Sequence, residues 1–173
     1  MATAHNLPIS VSEYLHTSYE PDCDYVDGVI EERNLGELDH SDVQDSLLAW
    51  FRTHSKEWGY RAVPEIRVQV SATRFRVADV CIIPRSDQRE QIIHTPPLAI
   101  IEILSPDDRV SRYRQRLEDY RTMGVKNIWV IDPAERKGFD CSTGNWIEAN
   151  DFAVEGTAVE LQLDAIFADI DEK

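Results

Sequence analysis

The seven residues LAIIEIL, Leu98 to Leu104, carry five leucines or isoleucines, one alanine and one charge, Glu102. Pro96-Pro97 and Ser105-Pro106 bound the run, and an apolar segment this short between breakers reads as a strand covered on both faces. An ionised carboxylate enclosed there without a partner costs several kcal/mol. Glu102 therefore has to be paired, protonated, set at a strand end or holding a cation. The segment RFRVADVCIIP (74–84) repeats the problem, because Asp79 interrupts an otherwise apolar stretch from Val77 to Ile83.

The rest of the chain supplies a frame for these two strands. SVSEYLHTS (10–18) predicts a short helix with Ser10 as N-cap and Glu13 as its box partner. Asp27-Gly28 inside CDYVDGVIEER (23–33) is a hairpin signal. A helix capped by Asp39 or Ser41 follows, carries Val43, Leu47, Leu48, Trp50 and Phe51 at helical spacing, and ends near Gly59. RAVPEIRVQV (61–70) alternates as a half-buried strand does, residues 85–97 form a polar connection, and residues 109–123 form a helix. NIWVID (127–132) is a further strand, and GFDC with NWIE makes an edge hairpin. The stretch from 150 to 173 is acidic and reads as a tail with ELQLDAIF as a last packed segment. At 173 residues this predicts one domain spanning 1–173, of mixed α/β class, with one central sheet flanked by helices. No dinucleotide fingerprint or P-loop occurs.

Asp79 and Glu102 lie in strands expected to be close in the sheet. If the strands are neighbours, the two carboxylates converge on one point, and a hard divalent cation takes such oxygen ligands. The backbone carbonyl of Ile103 is a candidate third ligand. The plainer alternative has Asp79 capping a bend and Glu102 in an ordinary ion pair; finding both in adjacent apolar strands favours a site. In the helix RVSRYRQRLEDYRTM, Val110, Tyr113, Leu117 and Tyr120 form the apolar stripe. Arg116 lies on its shoulder, so its guanidinium is expected to point towards the strand of Glu102. Arg109 and Arg112 lie on the same side as the concentrated basic surface of an acidic chain.

The formal net charge is −14, which excludes binding nucleic acid through the whole surface. Phosphates are reached only through a local basic patch or a bound cation. Cys23, Cys81 and Cys141 share no metal or redox spacing and read as free thiols. MATAHNLPIS lacks the regions of a signal peptide, and no apolar run is long enough to span a bilayer. The expectation is a cytoplasmic protein with no membrane partner.

The ordered set RVADV, IIEILSP and RLEDYRTMGVKNIWVIDP resembles the PD-(D/E)XK nuclease superfamily, and more closely its restriction-endonuclease branch, the Uma-two family. YVDGVIEE, His40 and LDAIF fit that branch too, so the similarity runs from about Ser10 to Phe167. The resemblance implies a restriction-endonuclease-like core and implies that Asp79 and Glu102 ligate Mg²⁺ or Mn²⁺, which would activate water and stabilise charge at a scissile phosphate. It also implies site roles for His40 and for Glu31 as a further acidic group. Three departures stand out. Ala78 replaces the proline before the aspartate, and Leu104 stands where the superfamily motif has its lysine. Arg116 occupies the position to which this branch moves that lysine. Arginine keeps the charge but cannot release a proton near neutral pH.

The leading reading is a metal-dependent DNA endonuclease. Asp79, Glu102 and Ile103 hold the metal, Arg116 stabilises charge or positions the nucleophile, and Arg109 and Arg112 bind phosphate. A homodimer is expected: the resemblance implies it, since many nucleases of this fold dimerise to cut both strands, and two copies of helix 109–123 lining one cleft could focus the field of a chain at −14 on DNA. The alternatives are an inactive relative serving as a nucleic-acid-binding or protein-interaction module, and a hydrolase of smaller phosphate esters.

Overall fold

The computed structural model describes residues 8–33, 37–86, 90–106 and 110–172, with the side chain of Val110 outside that set. Helix α1 (Val11–His16) starts where its cap dictates: the Ser10 hydroxyl accepts from the Glu13 N–H at 3.1 Å. Strands β1 (Asp24–Val26) and β2 (Val29–Glu31) turn at Asp27-Gly28, whose φ values of +50° and +94° are the left-handed pair that a two-residue hairpin demands.

Helix α2 spans Leu38–Trp58 and ends on Gly59 at φ +74°. Its N-cap is Glu37, without a side-chain cap bond. Asp39 and Ser41, expected as caps, instead lie in the first turn, where the charge of Asp39 meets the positive end of the helix dipole.

The long hairpin of β3 (Tyr60–Ser71) and β4 (Arg74–Pro84) leads through the connection to β5 (Ala99–Ile103) and α3 (Val110–Met123). Strands β6 (Ile128–Asp132), β7 (Lys137–Asp140) and β8 (Ile147–Glu148) follow. The described strands form an eight-stranded sheet ordered β2-β1-β4-β5-β6-β7-β8, with β3 also paired to β4. The sheet is mixed, because β5 and β6 run parallel while β4–β5 and β6–β7 are antiparallel.

The composition from residue 150 onward suggests a tail with ELQLDAIF as a packed segment; that segment is packed, and the structure corrects the rest. β9 (Asp151–Ala153) and β10 (Glu160–Gln162) pair as a second sheet, and α4 (Leu163–Asp171) follows directly. Phe152, Leu161, Leu163 and Ile166 pack with Val43, Leu47 and Phe51 of α2 against Val80, Ile82 and Ile101. On the other face Tyr113, Leu117 and Tyr120 of α3 pack against Cys81, Ile100 and Ile128, as the stripe predicts. The three cysteines are free and buried. Among the described residues no helix is long and apolar enough to cross a membrane.

One edge of β4 is shared by two strands. β1 pairs with its start through Tyr25↔Phe75 and Val26↔Arg74, and β5 pairs further along through Val80↔Ile101 to Ile82↔Ala99. Neither strand pairs with residues 76–79 on that edge. Buried backbone groups require partners, so side chains must fill this gap.

Candidate functional site

The gap in β4 gathers the charges that the apolar sequence hides. At its β1 end, Asp24 Oδ1 accepts from the Val77 N–H at 2.8 Å. At its β5 end, Asp79 Oδ2 accepts from the Ile103 N–H at 2.8 Å. Two carboxylates thus take the place of missing ladder partners. One further step in the β4–β5 register sets Asp79 opposite Glu102. The two strands are neighbours, as the sequence predicts.

Asp79 is buried. Its Oδ1 accepts from Arg33, which also pairs with Glu65, and its Oδ2 lies 3.4 Å from His40 Nε2. Burial pushes Asp79 up, but the hydrogen bond to His40 and the charge of Arg33 outweigh it and hold the carboxyl below its usual range. Burial likewise lowers His40, and the bond to Asp79 reverses this, leaving the imidazole easier to protonate than a free one. Gln44 of α2 donates 2.9 Å bonds to both Glu65 Oε1 and the Asp79 carbonyl. Glu65 follows Pro64 and holds φ at +48°, a region that a residue with a Cβ rarely occupies. Such local strain gathers at functional sites.

Glu102 is fully buried. Its Oε2 accepts from Arg116 at 3.0 Å and its Oε1 from the Tyr120 hydroxyl at 2.5 Å. Burial raises its pKa; the Arg116 charge opposes this and the nearby Asp79 charge adds to it. The other arm of the Arg116 fork reaches Asp24 Oδ2 at 2.8 Å. Arg116 therefore points inward and bridges two carboxylates from separate strands. Asp24 and Glu31 each accept from Arg76 Nη1 at 2.9 Å, and Asp119 accepts from Arg76 Nε at 2.8 Å. Glu31 thus stands with Asp24 and Arg76. Among the described residues no buried side-chain nitrogen or oxygen lacks a hydrogen bond.

The constellation opens outward through two joined hollows. A narrow recess of about 30 Å³ is lined by Arg33, His40, Asp79, Ile103, Arg112 and Arg116. It shares His40, Ser105 and Tyr113 with a cleft of about 350 Å³ that extends to Trp146. Arg112 is exposed at the recess and donates to the Glu32 carbonyl at 3.2 Å. Arg109 lies outside the described residues.

The oxygen donors of Asp79 and Glu102 are of the type that Mg²⁺ or Mn²⁺ prefers, but their arrangement does not fit a cation. Arg33, His40 and the Ile103 N–H engage Asp79. Arg116 and Tyr120 engage Glu102, which does not line the recess. The Ile103 carbonyl accepts from the Tyr113 hydroxyl at 3.0 Å. Among the described residues no three His, Cys, Asp or Glu side chains group so as to hold a metal ion.

Sequence reasoning did not single out Arg33, Asp24, Arg76 or Glu65. The signals available were Pro64 inside an alternating strand and the acid beginning the hairpin.

The Uma2 (Uma-two) family, described as "Putative restriction endonuclease", matches residues 11–155. The crystal structure of "a putative nuclease belonging to DUF820" from Anabaena variabilis ATCC 29413 superposes with a TM-score of 0.77 at 22% identity, over 94% of this chain and 99% of that one. At that identity the likeness shows the fold. The cryoEM structure of a DrdV–DNA complex aligns at a TM-score of 0.43 and 13% identity, over 76% of this chain and 11% of that one, too slight a likeness to carry an argument. No curated protein matches the chain.

Proposed function

From a chain that belongs to the Uma2 family over residues 11–155, we propose a DNA endonuclease of PD-(D/E)XK type that hydrolyses phosphodiester bonds at the recess around Asp79. The observation that carries this reading is the Asp79–His40 pair, buried at the break in the sheet and opening onto a recess that Arg33, Arg112 and Arg116 also line. A scissile phosphodiester there meets arginine donors suited to its anionic oxygens. Asp79 orients His40 and favours its protonated form, which can donate a proton to the departing oxygen. Buried Glu102 and Asp24 fix Arg116 from behind, so its guanidinium is held in place at the wall of the recess.

A divalent ion would supply Lewis acidity and an activated water when bound. In the present arrangement it would compete with Arg33 for Asp79. A second reading therefore has a specific basis: Arg116 is committed to two carboxylates and is unsuited to the proton-handling part of the family's lysine. On that reading the chain binds nucleic acid without cutting it.

The test is supercoiled plasmid incubated with wild type, Asp79→Asn and His40→Ala, in EDTA, Mg²⁺ or Mn²⁺. Nicking or linearisation by wild type, lost in both variants, supports the endonuclease. Plasmid left intact by wild type in every condition eliminates catalysis on duplex DNA.

A further inference from the structure

The two joined hollows differ in chemistry in the way the two ends of a nucleotide differ. The recess presents Arg33, Arg112 and Arg116 beside His40, Asp79 and Glu32. The adjoining cleft of about 350 Å³ has Leu104, Pro106, Tyr113 and Trp146 in its walls, with Glu37, Asp39 and Glu135 among its polar groups. Carboxylates repel a phosphate, yet they accept hydrogen bonds from the amino and imino groups of a base edge. Trp146 is 36% exposed, one of the few large apolar side chains left facing solvent. Its ring is steadied by Tyr113, at a centroid distance of 6.5 Å and 63°, and by Phe139, at 5.5 Å and 54°. An indole supported from behind and open in front is a stacking platform. Beyond it, a groove along α3 is lined by Arg114, Gln115, Glu118, Arg121 and Asn145; Arg121 pairs with Glu118 at 2.7 Å, so Arg114 is the charge that a neighbouring phosphate would meet.

We propose that this cleft receives the base of an unpaired DNA nucleotide, stacked on Trp146, while its phosphate lies in the arginine-lined recess. The inference rests on the endonuclease reading and narrows its substrate to single-stranded or everted nucleotides. A base inside a duplex is stacked and paired, and reaches such a cleft only by leaving the helix. The net charge of −14 fits this choice: a rigid duplex lays two phosphate strands against an acidic surface, whereas one strand threads a local basic path.

The probe is a short fluorescent single-stranded DNA oligonucleotide, with the same sequence as a blunt duplex, titrated by anisotropy in EDTA. Wild type should prefer the single strand. Trp146→Ala should raise its Kd about tenfold, the typical worth of one base stacked on an aromatic ring, while Trp146→Phe retains most of the affinity. Both variants should melt at the wild-type temperature. A 2-aminopurine placed in the strand should be quenched by wild type and not by Trp146→Ala. Equal single-strand affinity for wild type and Trp146→Ala, or a duplex preference by wild type, overturns the inference and leaves plasmid cleavage to decide the endonuclease reading separately. A wild type that cuts plasmid but binds no oligonucleotide also overturns it.

Discussion

The Ile103 N–H donates to Asp79 Oδ2 at 2.8 Å, so a side chain completes the sheet where β4 and β5 stop pairing. Asp79 thus has a structural part whatever its chemistry. Removing it strands the Ile103 N–H and leaves Arg33 without its more buried partner. Asp79→Ala is expected to lower unfolding stability by about 3 kcal/mol, measured by urea titration. Asp79→Ala combined with Arg33→Ala should cost less than the sum of the two single changes, since the second removes a cation that the first left unpaired.

The His40–Asp79 pair predicts a pH signature. His40 titrates above its ordinary 6.5 because Asp79 accepts its hydrogen bond and carries the opposing charge, against the lowering effect of burial. A histidine with a raised folded-state pKa contributes stability that is complete below the unfolded value and lost as pH rises through the folded one. Histidine-selective NMR should find one imidazole titrating above the normal range in wild type. In Asp79→Asn burial is left to dominate, and that resonance should shift to or below the ordinary value. An unchanged His40 titration in the variant would contradict the pairing.

Arg116 serves two carboxylates with one fork, 2.8 Å to Asp24 and 3.0 Å to Glu102. A lysine ammonium is a single point at the end of a stem and cannot reproduce both bonds. Arg116→Lys is therefore expected to lose about 1–2 kcal/mol of stability and to gain no cleavage activity, although it installs the lysine that the PD-(D/E)XK resemblance implies. Arg116→Met leaves Asp24 and Glu102 short of a cation and should lose about 3–5 kcal/mol. Chemical denaturation beside the plasmid assay checks both. Increased cleavage by Arg116→Lys would show that the fork is no requirement.

How much of this was legible depends on what surrounds each charge. Asp79 and Glu102 stood out because their neighbours in sequence are apolar, and the stripe of α3 predicted that Arg116 turns inward. Arg76 was concealed. In RFRV it alternates with Phe75 and Val77, which reads as the wet face of a half-buried strand, yet it is 1% exposed among Asp24, Glu31 and Asp119. Nothing local marks that face as covered, because the covering comes from β1 and α3, distant in sequence. Asp24 was concealed similarly, as an acid beside a hairpin. After residue 150, interspersed acids masked Phe152, Val154 and Val159, which are all buried. There the short period-two pattern is the signal and the net charge misleads.

Arg33 engages the Asp79 carboxylate that a cation would need. It pairs with both Asp79 and Glu65, and these carboxylates in turn hold its pKa above that of a free guanidinium against the effect of burial. A divalent ion arriving at Asp79 must displace that contact or share the carboxylate with it, and a charge-assisted hydrogen bond of this kind is worth about 1.5–3 kcal/mol. Deleting the guanidinium removes the competitor and exposes two carboxylates, Asp79 and Glu65, that Gln44 already bridges from α2 through the Asp79 carbonyl and Glu65 Oε1. Arg33→Ala should therefore bind Mn²⁺ at least about tenfold more tightly than wild type, read by isothermal calorimetry or by the loss of the free-ion electron paramagnetic resonance signal. Adding Asp79→Asn to Arg33→Ala should abolish the gain. If Arg33→Ala binds Mn²⁺ no better than wild type, Arg33 does not compete with a cation, and the arrangement of the two carboxylates themselves is what limits metal binding.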